Sequence, residues 1–225
     1  MLRRTMTLKA FMILRWVWPL LLVMAVGCTL GPTPVPTASP WAETWNVPPP
    51  TPPATLPELI AVLSGYNAEA RIGAARALGA MGSDAEVAVP ALTRNLYYNG
   101  AGDVREAAAW ALGEIGPGAK SAVPVLIVVL LTDSMHARKE AAIALGKIGD
   151  PAAIPALASS LYDESPWVRI ASAEAIAQLT DQSFPGAPPS NGGGYILNEE
   201  TGEAIIVLAA REWWENEGWQ QDWLH

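Results

Sequence analysis

Arg105–Gly116, REAAAWALGEIG, recurs along the chain. It returns as Arg71–Gly82 (RIGAARALGAMG), as Arg138–Gly149 (RKEAAIALGKIG) and, in worn form, as Arg169–Thr180 (RIASAEAIAQLT). Its leucine falls at Leu78, Leu112 and Leu145, with Ile176 in the fourth copy, at steps of 34, 33 and 31 residues. A second phrase keeps the same step: Leu56-Pro57-Glu58-Leu59, Val89-Pro90-Ala91-Leu92, Val123-Pro124-Val125-Leu126 and Ile154-Pro155-Ala156-Leu157. Two phrases sharing one period of this length describe a supersecondary unit that is stacked on copies of itself.

The unit reads as two short helices. The first opens at its proline, where the missing N–H costs no intrahelical bond. Leu92 with Leu96, Leu126 with Leu130, and Leu157 with Leu161 stand four apart on one face. Polar turns follow at residues 99–103, 132–134 and 163–165, and the second helix is expected from Val104, Ala137 and Val168. Along it Ala108, Ala111, Leu112 and Ile115 share one stripe. Gly82, Gly116 and Gly149 stand just past the last apolar residue, where a left-handed terminating residue belongs. A single pair cannot bury its face alone, so the pairs must stack.

The V-R-x-x-A-A-x-A-L-G-x-I-G phrase, with x-P-x-L opening the partner helix, resembles the short HEAT-like repeats of bacterial proteins. The likeness covers about residues 57–180, as units of about 57–82, 90–116, 124–149 and 155–180. It implies an all-α solenoid of about four helix pairs, wound as a right-handed superhelix, with second helices lining the concave side as a protein-binding scaffold. The first copy lacks the valine, and the fourth lacks the terminal glycine.

The ends differ from the repeats. Met1–Arg15 carries Arg3, Arg4, Lys9 and Arg15 and no acid, and Trp16–Gly27 is twelve residues without a charge. That run is too short to span ~30 Å of hydrocarbon comfortably as a helix, and suits the apolar part of a secretory signal. It ends Met24-Ala25-Val26-Gly27-Cys28, which resembles the lipobox of bacterial lipoproteins, with Ala25 where leucine is usual. The resemblance implies a signal peptide over residues 1–27, cleavage before Cys28, lipidation of Cys28 with diacylglycerol and palmitate-type chains, and a place on the extracytoplasmic face of a bacterial membrane. An uncleaved signal anchor with an inert Cys28 is the other reading. Thr29–Leu56 holds nine prolines and six threonines in twenty-eight residues. Residues 28–56 therefore read as a disordered polyproline-type stalk, reaching at most roughly 85 Å at about 3.1 Å per residue. Trp41 and Trp45 interrupt it, either at the membrane interface or folded back on the solenoid.

Residues 181–225 form a Gly/Pro loop (Phe184–Gly194) and an acidic tail bearing Trp213, Trp214, Trp219 and Trp223. Gly202–Glu217 reads as a helix with Ile205, Leu208, Ala209 and Trp213 along one side. The competing reading pairs Tyr195–Leu197 with Ala204–Val207 as a hairpin. The tail is read as a capping helix sealing the last repeat, or as an adhesive motif for a partner. HEAT-like proteins often end in a similar L-T-x-Q…W-W-E segment, matched here by Leu179, Thr180, Gln182, Trp213, Trp214 and Glu215.

Charge narrows the function. The net charge is −8; cleavage before Cys28 leaves ten bases against twenty-two acids, a net −12. Such a surface is unsuited to nucleic acid, whose phosphates need Lys and Arg. One cysteine allows no internal disulfide. His136, expected in a solvated turn, and His225 have no second His or Cys near enough to suggest a metal site. No GxSxG, phosphate-loop, HExxH or CxxC pattern is present. Deoxyhypusine hydroxylase has similar repeats but needs His-Glu pairs that this chain lacks, and the phycobilin lyases, also similar, work inside cells. No catalytic residue, cofactor, metal or small-molecule substrate is therefore expected.

The residue x in A-A-x-A-L-G lies opposite the apolar stripe: Arg76, Trp110, Ile143 and Glu174 in turn. An aromatic residue and an isoleucine there exceed what packing requires. Arg76, Trp110, Ile143 and Arg105 are the candidate protein-binding residues, unless these positions simply tolerate any side chain or Trp110 packs on the stalk or tail. The expected function is a membrane-anchored, non-catalytic scaffold or adaptor for a protein partner not named by the sequence. The alternatives are an accessory chaperone- or lyase-like factor holding a cofactor or client, and a purely structural envelope lipoprotein.

Overall fold

The computed structural model describes residues 55–97, 101–186 and 194–221. The signal, Cys28, nearly all of the stalk, Trp223 and His225 lie outside them.

The described chain is a stack of helix pairs with no β-strand: α1 (Leu56–Val62) with α2 (Ala68–Ala80), α3 (Val89–Tyr97) with α4 (Gly102–Ile115), α5 (Val123–Thr132) with α6 (Met135–Ile148), and α7 (Ile154–Ser160) with α8 (Pro166–Thr180). The second helices pack on one another in order, α2 on α4, α4 on α6 and α6 on α8, and α3, α5 and α7 form the other layer. All the leucine pairs expected on the first helices are buried, and Leu78, Leu112, Leu145 and Ile176 are wholly shut off from solvent between the layers. The run Gly102–Thr132 is long and apolar enough to cross a membrane. Here it is broken at Gly116–Ala122 into α4, which packs on α3, and α5, which packs on α6, and half of its most apolar stretch is buried.

The second helices start two residues earlier than the sequence suggests, because Ser134 and Ser165 stand in extended backbone at the N-caps and Pro166 fits the first turn of α8. The joins between pairs also hold more structure than expected. Residues Gly82–Ala88, Gly116–Ala122 and Pro151–Ala153 are 3₁₀ segments whose alanines, Ala85, Ala88, Ala119, Ala122 and Ala153, are buried. The first two are 7 residues long and the third is 3; with Gly149 and Asp150 ahead of it the last join is two residues shorter than the one at Gly116–Ala122, in line with the shorter last step of the repeat. Gly149 leaves α6 with φ 78°, a left-handed C-terminal residue as expected. In the fourth unit Asp181 adopts that conformation with φ 53° in place of the missing glycine.

A glycine inside each A-L-G phrase sets the distance between second helices. A Cβ on Gly113 would fall 2.9 Å from the Ala144 Cα, and one on Gly146 would fall 3.0 Å from the Ala175 Cα. The backbones touch where side chains would ordinarily keep them apart. The fourth unit has Ala177 at this position, and the next helix, α9 (Ile205–Asn216), packs differently.

Both readings of the tail hold in part. Leu197 and Ala204 form an isolated antiparallel bridge around the Asn198–Gly202 turn, with Ile205 N–H donating to Ile196 O at 2.9 Å. The helix begins at once after it. Its buried side is Ile206, Val207, Ala210 and Trp213, one residue round from the expected Ile205, Leu208 and Ala209. The bridge sets this rotation by fixing Ala204 inward. α9 lies against α8 and α7. Trp213 meets Phe184 at 6.0 Å between ring centroids and Trp214 at 6.3 Å. Arg211 stacks over Tyr162 at 4.6 Å and donates from Nε to Leu161 O at 3.0 Å, satisfying a carbonyl at the end of α7. Trp219 remains exposed.

Candidate functional site

The layer of second helices carries a groove of about 540 Å³. Glu69, Ile72 and Arg76 of α2 form one wall, Asp103, Glu106, Ala107 and Trp110 of α4 the centre, and Glu140 of α6 the far edge. Residues three and four apart on one helix share a face, which is how α4 brings its four to the groove.

Two of the four residues expected to form a contact surface meet here. Arg76 is exposed at the rim, and Trp110 lines the wall. Trp110 is half-buried rather than exposed, because Gly79 leaves a slot for it. A Cβ at Gly79 would fall 2.5 Å from the Trp110 Cζ3. One glycine thus serves the close approach of α2 to α4 and seats the indole, a role that the A-L-G phrase signals only once the partner at Trp110 is known.

The other two candidates do not line the groove. Ile143 is partly buried and packs against the core. Arg105 is committed elsewhere. Its Nη2 donates to Asp133 Oδ1 at 2.8 Å and its Nε also bonds that carboxylate. Hydrogen bonding to Asp133 holds the Arg105 guanidinium above its ordinary pKa. Burial pushes the Asp133 carboxyl up, but bonds from Arg105 and the Ser134 backbone, with the charge of Arg105, bring it below the ordinary value.

Arg105 belongs to a series that the sequence reading left unexplained. Arg138 Nε lies 2.9 Å from Asp163 Oδ2, and its Nη1 donates to Asp133 O at 2.9 Å. Arg169 Nε lies 2.7 Å from Glu203 Oε1. Each of these three arginines of the repeated phrase therefore reaches forward to an acid that follows its own helix pair. In the first unit the rung is neutral: Arg71 Nη1 donates to Asn95 Oδ1 at 3.3 Å, and Asn95 Nδ2 donates to Leu63 O and Ala91 O at 3.0 Å. The forward partner differs in spacing from unit to unit, so no motif displays it.

His136 sits in the first turn of α6 rather than in the preceding turn, and with Met135, Lys139 and Trp167 it lines a shallower hollow of about 310 Å³. Glu174 accepts from the Tyr195 hydroxyl at 2.7 Å, so the tail covers the fourth x position. Burial and this hydrogen bond push the Tyr195 hydroxyl above its ordinary pKa. Among the described residues no group of three His, Cys, Asp or Glu is placed to hold a metal ion.

The family model for HEAT repeats matches residues 49–113 and 99–177. Comparison with the curated proteins found no match. Among solved structures, one engineered protein is similar at 25% identity and a TM-score of 0.47, over 55% of this chain and 62% of its own length. The chain is also similar to the complex of CpcE and CpcF of phycocyanin lyase from Nostoc sp. PCC7120, at 26% identity and a TM-score of 0.42, over 60% of this chain and 68% of that one. At TM-scores below 0.5 these likenesses carry no weight for function. The family match, joined to the stacked helix pairs and their repeated phrases, covers more than half of the sequence, and the chain belongs to the HEAT-repeat family.

Proposed function

We propose that this protein is a non-catalytic scaffold that binds a protein partner through the groove on its second helices while lipid on Cys28 holds it to the extracytoplasmic face of a bacterial membrane. The groove crossing α2, α4 and α6, with the Trp110 indole in its wall, carries the binding part of this reading. An open groove bearing an aromatic anchor suits a protein segment better than a small molecule, which binding sites usually enclose. The anchor rests on the Met24–Cys28 sequence at the end of the apolar run. Two or more acyl chains hold a protein stably, whereas one is marginal.

A photo-crosslinking side chain at Arg76, in living cells, is expected to capture one stoichiometric protein, and Trp110→Ala to abolish that capture. Capture of a coloured cofactor without a protein would replace this reading with an accessory-factor role. Radioactive palmitate is expected to label the wild type and not Cys28→Ser; equal labelling of both would remove the anchor.

A further inference from the structure

The groove is selective in charge. Four carboxylates, Glu69, Asp103, Glu106 and Glu140, line it against the single guanidinium of Arg76. Glu69 and Asp103 stand in the first turns of α2 and α4, where the positive end of the helix dipole accounts for an acid. Glu106 and Glu140 lie beyond those first turns, so the dipole does not account for them. Glu69, Asp103 and Glu106 form no ion pair among the described residues, and Glu140 has only Lys139 Nζ at 3.4 Å. By contrast Asp133, Asp163 and Glu203 are each held by an arginine. The acidity is also local. At the positions on α6 that correspond to Asp103 and Glu106 the chain has His136 and Lys139.

We infer, resting on the protein-binding reading above, that the groove takes an extended lysine- and arginine-rich segment of its protein partner. Charge complementarity selects the segment. The Trp110 ring offers a face to one cationic side chain, the carboxylates pair its neighbours, and Ile72 with Ala107 supports the aliphatic stems. Three helices at the usual interaxial distance of about 9 Å span about 18 Å, the length of five or so extended residues.

The test uses the full chain and three fluorescein-labelled octapeptides alternating glycine with lysine, serine or glutamate. Fluorescence anisotropy is expected to show binding of the lysine peptide alone, weakening as salt rises. A groove variant, Glu69→Gln with Asp103→Asn and Glu106→Gln, is expected to weaken it about tenfold, whereas a tail variant of equal charge change, Glu199→Gln with Glu200→Gln and Glu212→Gln, stays within about twofold. The amide replacements keep size and shape, and an unchanged melting midpoint identifies each variant as folded. Equal losses in the groove and tail variants would make the attraction diffuse and overturn the inference. Equal binding of the serine peptide, lost in Trp110→Ala, would overturn the basic selectivity and leave the protein-binding groove standing. Failure of the lysine peptide to bind while crosslinking at Arg76 succeeds would do the same.

Discussion

Arg169 meets Glu203 across 2.7 Å, Nε to Oε1, in the way that Arg138 meets Asp163. The acid for the last repeated helix thus comes from the tail, not from a further repeat. Glu203 also holds Arg211, with Nη1 at 2.9 Å, and Arg211 in turn closes the end of α7. Glu203→Gln should cost about 2 kcal/mol, the scale of hydrogen bonds to charged groups. Urea denaturation measures that loss, and limited proteolysis is expected to release the tail first.

Gly113 and Gly73 should respond to alanine with opposite signs. At Gly113 the new Cβ would sit 2.9 Å from the backbone of Ala144, forcing α4 and α6 apart. The strain of overpacking, about 1–3 kcal/mol, exceeds the roughly 1 kcal/mol that alanine gains over glycine in a helix. At Gly73, exposed on α2, nothing lies within 4 Å of the new Cβ. Gly73→Ala should therefore stabilise by about 0.5–1 kcal/mol, and thermal melts of the two variants check the contrast.

Asp181 holds φ 53° without being glycine. Asp181→Gly removes that strain, though it gives the unfolded chain more freedom. The net is a gain of about 0.5 kcal/mol, read from the chemical denaturation midpoint; a loss would mean that the aspartate side chain stabilises this turn.

The Arg105–Asp133 pair makes stability depend on acid. The folded Asp133 carboxyl titrates below its ordinary value, so its contribution is complete above the unfolded value of about 3.9 and is lost as pH falls through the lower folded value. Wild type and Asp133→Asn should differ in melting midpoint at pH 7, and the difference should begin to shrink only below about pH 4 and close as pH falls further.

The fold was legible because the signals that specify it are short-range and repeated. Leucines four apart and prolines one period apart stand in the sequence as they stand in space. The 3₁₀ joins escaped notice because Gly116–Ala122 carries no apolar period. Small alanines pack there by fitting, which leaves little pattern. Trp110 and Arg76 were recognisable as residues the helix did not need. The ion pair of Arg105 was not legible because its partner lies 28 residues on, and nothing in the phrase points that far. The carboxylates of the groove were hidden for a related reason: Glu69, Asp103, Glu106 and Glu140 become neighbours only when three helices lie side by side.

The forward reach of the arginines gives the chain a direction in time as well as in space. During synthesis α4, α6 and α8 each emerge from the ribosome before the acid that will hold their arginine. Every seam stays open until the following segment has been made, and Arg169 waits for Glu203, 34 residues later. A nascent chain stalled at Thr180 would carry a finished stack with one unanswered cation at its growing end, a mark by which an incomplete molecule differs in charge and shape from a complete one.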